Sequence, residues 1–229
     1  MSYTAAIDIS SGEAAFALRD NSSGKIVFTV YIKADRRDSS AILPGMLDAL
    51  REHHIPLNAV EEWLTGTGPG SFTGLRIMSS IIAGLSFGKE NVRVSGIPSS
   101  LALSSYAMKK CGNAKGATLF DGRNKEALAL FAEKKNGIVE SHEETKILGH
   151  DADFSKEFDA VEKLISIERD RASLEKILPL EIFNRVEFLE KFPVEEFFSD
   201  GITVRTGIND LIYVRPAVFV EPKKVREVS

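Results

Sequence analysis

The densest chemical signal is an eleven-residue run, GTGPGSFTGLR, at residues 66–76. Gly66, Gly68, Pro69, Gly70, Ser71, Phe72, Thr73, Gly74 and Arg76 follow an apolar stretch ending at Leu64. Ser71 is of a type that caps helices, and residues 71–87 then carry one charge, Arg76. A strand, a tight glycine loop and an apolar helix suit either an anion at a helix N-terminus or close contact between backbones. The loop lacks the Lys-Ser/Thr pair of a phosphate-binding P-loop, the spacing of a dinucleotide fingerprint and the G-x-S-x-G nucleophile elbow. A second candidate is Asp8, Ser10, Ser11 and Gly12 at the end of the first apolar run, with Asp121 and Gly122 in a similar place further on. Such a turn either holds phosphate or is a plain turn whose Asp accepts backbone N–H groups.

Metal and thiol chemistry find little support. His53 and His54 are adjacent, so on a helix they point about 100° apart. His142 and His150 have no ligand three or four residues away. Cys111 lies beside Lys109 and Lys110 without an evident base. No zinc is expected.

The elements that must position these residues follow from periodicity. Residues 3–10, 14–19 and 26–33 read as three strands joined by short turns. A helix follows, capped by Ser39 or Ser40, with Leu43, Met46, Leu47 and Leu50 at helical spacing. The strand around Trp63, the helix at 71–87, a strand at 92–95 and a helix from Pro98 to Lys109 complete the order βββαβαβα, that of a ribonuclease-H-like core. Strands at 117–121, 125–133 and 138–147 begin a second, degenerate copy, the last weakened by the polar run 141–144. A strand at 161–167 and helical segments around Leu174 and Phe188 follow. The expected fold is α/β with mixed sheets in two ribonuclease-H-like domains, 1–110 and 111–229, as in the actin-like ATPase superfamily. A phosphotransferase of that superfamily needs a second phosphate turn and an adenosine-binding glycine pair, and neither is found in the second half.

The helix at 71–87 is apolar all round, with Phe72, Leu75, Ile77, Met78 and Ile81 among its residues and Ser80, Gly84 and Gly88 forming a small-residue ridge. Its face is either buried within the domain or covered by a partner. With the Leu/Met stripe of the preceding helix, a partner interface is expected at Leu43, Met46, Leu47, Leu50, Phe72, Leu75, Arg76, Ile77, Met78 and Ile81. The 229 residues carry a net charge of −4, which gives no overall basis for gripping nucleic acid; Lys223, Lys224 and Arg226 read as a solvated tail. One cysteine excludes an internal disulfide. The N-terminus reads as a strand and the longest weakly polar stretch is too short to span a bilayer, so a cytoplasmic protein is expected.

On these residues the chain resembles the bacterial TsaB (YeaZ) family of tRNA threonylcarbamoyladenosine biosynthesis proteins, often called glycoproteases. The resemblance rests on the loop signature at Gly66 to Arg76. It is joined by Ala6-Ile7-Asp8, Leu43-Pro44, Asp121-Gly122-Arg123 and Tyr213-Val214-Arg215-Pro216. The family's usual Asp-Thr-Ser is here Asp8-Ile9-Ser10, its histidine before the first helix is replaced within Asp38-Ser39-Ser40, and its Asp-Ala-Arg is Asp121-Gly122-Arg123. The resemblance implies two ribonuclease-H-like domains with no catalytic residues. It implies a non-catalytic scaffold for the TsaD threonylcarbamoyl transferase, bound through the first two helices, with the small ATPase TsaE as a further partner. It also implies a homodimer through the same surface when alone, tRNA contact that is indirect or weak, and a nucleotide, if any, at the subunit interface. The alternative function is a small ATP-binding phosphotransferase.

Overall fold

The structure is a computed structural model that describes residues 1–33, 40–70, 72–142 and 145–213. It begins with strands β1 (Tyr3–Asp8), β2 (Glu13–Asp20) and β3 (Ile26–Lys33), then helix α1 (Ile42–Glu52), β4 (Val60–Gly66), α2 (Phe72–Ser86), β5 (Arg93–Ile97) and α3 (Ser99–Ala107). The sheet order is β3-β2-β1-β4-β5. β1 pairs antiparallel with β2 and parallel with β4, and β5 continues the parallel side.

Alternation along the strands decides what each face meets. One face carries large side chains, among them Ile7, Phe16, Leu18 and Trp63, which pack with Ile42, Met46 and Leu50 of α1 and Met78 and Ile82 of α2. The other carries Ala6, Ala15 and Ala17, whose small size lets the second half approach. Facing them are Leu101 and Leu103 of α3 and, from the second half, Phe120, Ile165, Ile167, Phe192 and Phe197.

The second half repeats the first sheet's order. β6 (Ala114–Asp121), β7 (Ala127–Lys135), β8 (Ile138–Ser141), β10 (Lys163–Ile167) and β11 (Val186–Leu189) form the path β11-β10-β6-β7-β8, with β9 (Lys146–Leu148) also paired to β7. Its helices are single turns, α4 (Phe154–Glu157), α5 (Arg171–Leu174) and α6 (Leu180–Phe183). They cover an outer core of Leu119, Phe131, Phe158, Leu174 and Ile182.

Three expectations are corrected. The strand expected over 138–147 is two strands, β8 and β9, because the polar run between them does not suit a buried ladder. The segment around Phe188 is a strand: Val186, Glu187 and Phe188 alternate inward and outward, and β11 pairs parallel with β10. Ser40 is not the cap of α1. The cap position is Ala41 with no side-chain bond, and Ser39 lies outside the described residues. No helix among the described residues is long and apolar enough to cross a membrane.

Helix α3 is held at its C-terminal end by the second half. Lys134 Nζ donates to the carbonyls of Met108 (2.9 Å), Lys109 (3.3 Å) and Cys111 (2.9 Å), a cation where the helix dipole is negative. The buried Glu196 accepts from Ser105 Oγ at 2.8 Å and Lys109 Nζ at 2.7 Å. Lys134→Met keeps the aliphatic stem and removes the donors. It is expected to lower stability by about 1–2 kcal/mol, read as a shifted urea midpoint with an unchanged slope.

Candidate functional site

Strand β4 delivers the glycine loop against Asp8, the last residue of β1. Asp8 is fully buried. Its Oδ1 accepts the backbone N–H of Ser10 at 2.7 Å and the Ser10 hydroxyl at 2.5 Å, while Oδ2 accepts the Ser99 hydroxyl at 2.5 Å. Ser99 Oγ in turn accepts Gly68 N–H at 3.1 Å, and the Ser99 N–H donates to the Gly68 carbonyl at 2.7 Å. A β-carbon at Gly66 would lie 1.9 Å from Asp8 Oδ2, so only glycine fits. Burial pushes the Asp8 pKa up, against the lowering effect of the bonds from Ser10 and Ser99 and the charge of Arg169.

The structure thus makes Asp8 a tie between β1, the loop and the start of α3, with its carboxylate turned inward. Ser11 Oγ reaches the Glu13 carbonyl at 3.4 Å, and Gly12 adopts a φ of +92° beneath Arg169, whose Cδ would lie 3.3 Å from a β-carbon there. Arg169 pairs with Asp170 at 3.1 Å, and Asp170 accepts the N–H of Asp121 at 3.1 Å. Asp121 caps its own turn through Arg123 N–H at 2.8 Å. The two Asp-Gly turns, one from each half, are therefore joined through residues 169 and 170.

A segment without a periodic signal explains Gly68 and Gly70. Residues 206–213 run across the end of the first sheet. Gly96 and Thr206 exchange backbone bonds at 2.7 and 2.9 Å, and Ile212 N–H donates to the Thr67 carbonyl at 2.7 Å. At Gly68, where φ is +98°, a β-carbon would meet the Ile212 carbonyl at 2.4 Å; Gly70 bridges to Tyr213. The strap also grips one flank of α2: Ser79 Oγ bonds the Ile208 carbonyl (3.0 Å) and Asn209 Oδ1 (3.1 Å), and Arg76 Nε donates to the Tyr213 hydroxyl at 3.3 Å. Close approach of backbones is what this loop provides. Ser71 and the Phe72 side chain lie outside the described residues, as do Val214, Arg215, Pro216, Lys223, Lys224 and Arg226.

The residues expected at a partner interface divide in two. Met46, Leu50, Leu75 and Met78 are corrected: at 1, 2, 1 and 0 % exposure they are the chain's own core. Helical periodicity marked them as apolar, but that face of each helix is taken by the sheet and the loop. Leu43, Leu47, Ile77 and Ile81 are half-buried, and Thr73 and Arg76 are exposed, with Gly74 between. On α2 the outward stripe continues through Ser80, Ala83 and Gly84 to Phe87, which is 87 % exposed. Nothing lies within 4 Å of a β-carbon built at Gly84 or Gly88, so this ridge faces open space. Among the described residues no three His, Cys, Asp or Glu side chains gather as a metal-binding group.

The family model described as TsaD: tRNA N6-adenosine threonylcarbamoyltransferase matches residues 31–201. The tRNA threonylcarbamoyladenosine biosynthesis protein TsaB of Escherichia coli (strain K12) is 31 % identical over 114 residues, 49 % of each chain. The protein of the same description from Haemophilus influenzae is 40 % identical over 57 residues, 25 % of this chain and 24 % of its own. The match thus spans about half the length of the first relative and a quarter of the second. In fold, the chain is similar to YeaZ from Pseudomonas aeruginosa, with a TM-score of 0.65 at 22 % identity over 86 % of this chain and 89 % of that one. A crystal structure described as an uncharacterised protein with similarity to peptidase YEAZ, also from Pseudomonas aeruginosa, gives 0.66 at 22 % identity, covering 86 % and 88 %.

Two substitutions test the internal roles of Asp8 and Met46. Asp8→Asn keeps shape and removes the buried charge. Because the folded pKa of Asp8 is raised, the wild-type protein is penalised at neutral pH and relieved as pH falls through that pKa toward 3.8. Asp8→Asn is expected to lie within about 1 kcal/mol of wild type at pH 7 and to lose ground to it between pH 7 and 4, read from urea midpoints. Met46→Glu places a charge in the core and is expected to cost more than about 3 kcal/mol, seen as loss of the cooperative thermal transition.

Proposed function

The chain belongs to the TsaB/YeaZ family, within the TsaD-type family model that matches residues 31–201, and from that membership we propose that it is a non-catalytic scaffold subunit for tRNA N6-threonylcarbamoyladenosine modification. In this reading it binds and supports a TsaD-type transferase, works with a TsaE-type ATPase, and pairs with a second copy of itself when alone. It acts in the cytoplasm as two units, 1–110 and 111–229. Any nucleotide sits at the subunit junction, and tRNA is held by the transferase; a net charge of −4 suits a subunit that does not grip a polyanion by itself.

The observation that carries the proposal is the outward face of α2. A surface helix normally shows several charges, whereas this one has only Arg76, whose guanidinium turns to the Tyr213 hydroxyl, and otherwise shows Ile77, Ser80, Ile81, Ala83 and Gly84, with Phe87 just past its end. The small residues Ser80, Ala83 and Gly84 let a partner helix come to the near end of the 8–10 Å range of helix separations, where dispersion contacts are densest. The half-buried Leu43 and Leu47 extend the surface onto α1. The phosphotransferase alternative needs a carboxylate facing magnesium, and the Asp8 carboxylate is enclosed by Ser10, Ser99 and Gly66.

The test is co-purification with a TsaD-type transferase, followed by light scattering, for the wild type and Gly84→Leu. Leucine is a better helix former than glycine and has open space to enter, so the variant is expected to fold at least as stably. It is also expected to lose at least about tenfold in affinity, equivalent to about 1.4 kcal/mol. Undiminished association would remove α2 from the interface, and a wild-type chain that ignores the transferase would overturn the scaffold reading.

A further inference from the structure

The strap at 206–213 is fastened to the first half by polar groups. Both backbone groups of Thr206 pair with Gly96, Ile212 N–H donates to the Thr67 carbonyl, and Ser79 of α2 holds the Ile208 carbonyl and the Asn209 side chain. Its apolar side chains Ile208, Leu211 and Ile212 are only half-buried. None of them joins the three clusters that hold the sheets and helices together. Burial of apolar surface is the main force that keeps a segment down. The strap relies instead on hydrogen bonds, which water replaces at little net cost.

The junction itself holds two unpaired hydroxyls. Thr67 Oγ1 and Thr206 Oγ1 are buried with no hydrogen-bond partner among the described residues. Their side chains converge over Gly96, where a β-carbon would lie 2.5 Å from Thr206 Oγ1 and 2.5 Å from the Thr67 methyl group. A buried hydroxyl without a partner has lost its hydration and gained no bond in return. Lifting the strap returns the Thr206 hydroxyl to water, so this contact favours release. The strap also carries a turn of its own. Gly207 N–H donates to Asp210 Oδ2 at 2.7 Å, and Asp210 N–H donates to the Gly207 carbonyl at 3.1 Å. These bonds lie within the segment and do not hold it to the sheet.

We propose that residues 206–213 form a latch that opens and closes while both halves of the chain stay folded. Closed, it fixes Thr67 and Gly68 of the glycine loop and one flank of α2. Open, it leaves Gly96 as an unpaired edge of β5 and frees Ser79. The glycine loop and α2 thereby have two states, clamped and released. Segments with few buried apolar contacts open at free energies below that of global unfolding. The first sheet does not need the latch to stay folded: Phe16, Trp63, Met46 and Met78 pack in a cluster that contains no strap residue. The opening is a property of the chain alone and does not depend on the scaffold reading.

The experiment is amide hydrogen exchange of the full chain, read by NMR, for the wild type, Ile165→Val and Thr206→Val. In the wild type the amides of Gly96, Thr206 and Ile212 are expected to exchange at least about a hundredfold faster than the slowest amides of β1 and β2. Ile165→Val opens a small cavity in the core between the halves. It is expected to speed the slowest amides of β1 and β2 about threefold or more and to leave the three latch amides at their wild-type rates. Thr206→Val replaces the orphaned hydroxyl by a methyl group of the same shape. It is expected to slow the latch amides about fivefold or more. Latch amides as slow as those of β1 and β2, latch amides that quicken with the core in Ile165→Val, or rates unchanged in Thr206→Val would each overturn the latch.

Discussion

A carboxylate placed at the end of a central strand and sealed from water must find its partners within the chain. Asp8 finds them in Ser10 and Ser99, and those bonds reach across three elements. They fix the turn after β1, the first residue of α3 and, through Ser99 and Gly68, the path of the glycine loop. The absence of a side chain at Gly66 follows from the same constraint, since the carboxylate fills that volume. Everything hung on the loop, including the direction in which α2 departs, inherits its position from this buried charge.

The loop then serves as a seat. The strap at 206–213 lies on it through Thr67, Gly68 and Gly70, extends the edge of β5 at Gly96, and holds α2 through Ser79 and Arg76. One face of α2 is thereby fixed to the sheet through Met78 and Ile82, one flank is fixed to the strap, and the ridge of Ser80 and Gly84 is left outward. An apolar helix clamped on two sides presents its third as a rigid surface, and rigidity lowers the entropic cost of association. The Asp-Gly turns of the two halves are meanwhile tied together by Arg169 and Asp170, which places a cation over Gly12.

Much of the first half was legible because its signals are local. Period-two alternation marked β3, and the change to helical spacing marked α1. The second half was harder to read because its helices are single turns, too short to show a 3.6-residue period, and because β11 is only four residues long. The strap gave no periodic signal at all: its bonds go to Gly96, Thr67 and Ser79, more than a hundred residues earlier.

The amino-acid sequence by itself determined the strand and helix order of the first half, the need for close packing at 66–74 and the family, since each depends on residue type and short spacing. Only the tertiary structure decided which side of α2 is free, because a helix apolar all round contains no periodic mark of its buried face. It also decided what Asp8 does. An aspartate before a glycine turn reads alike whether it faces ligand or core, and only the arrival of Ser99, ninety-one residues later, closes its carboxylate from water.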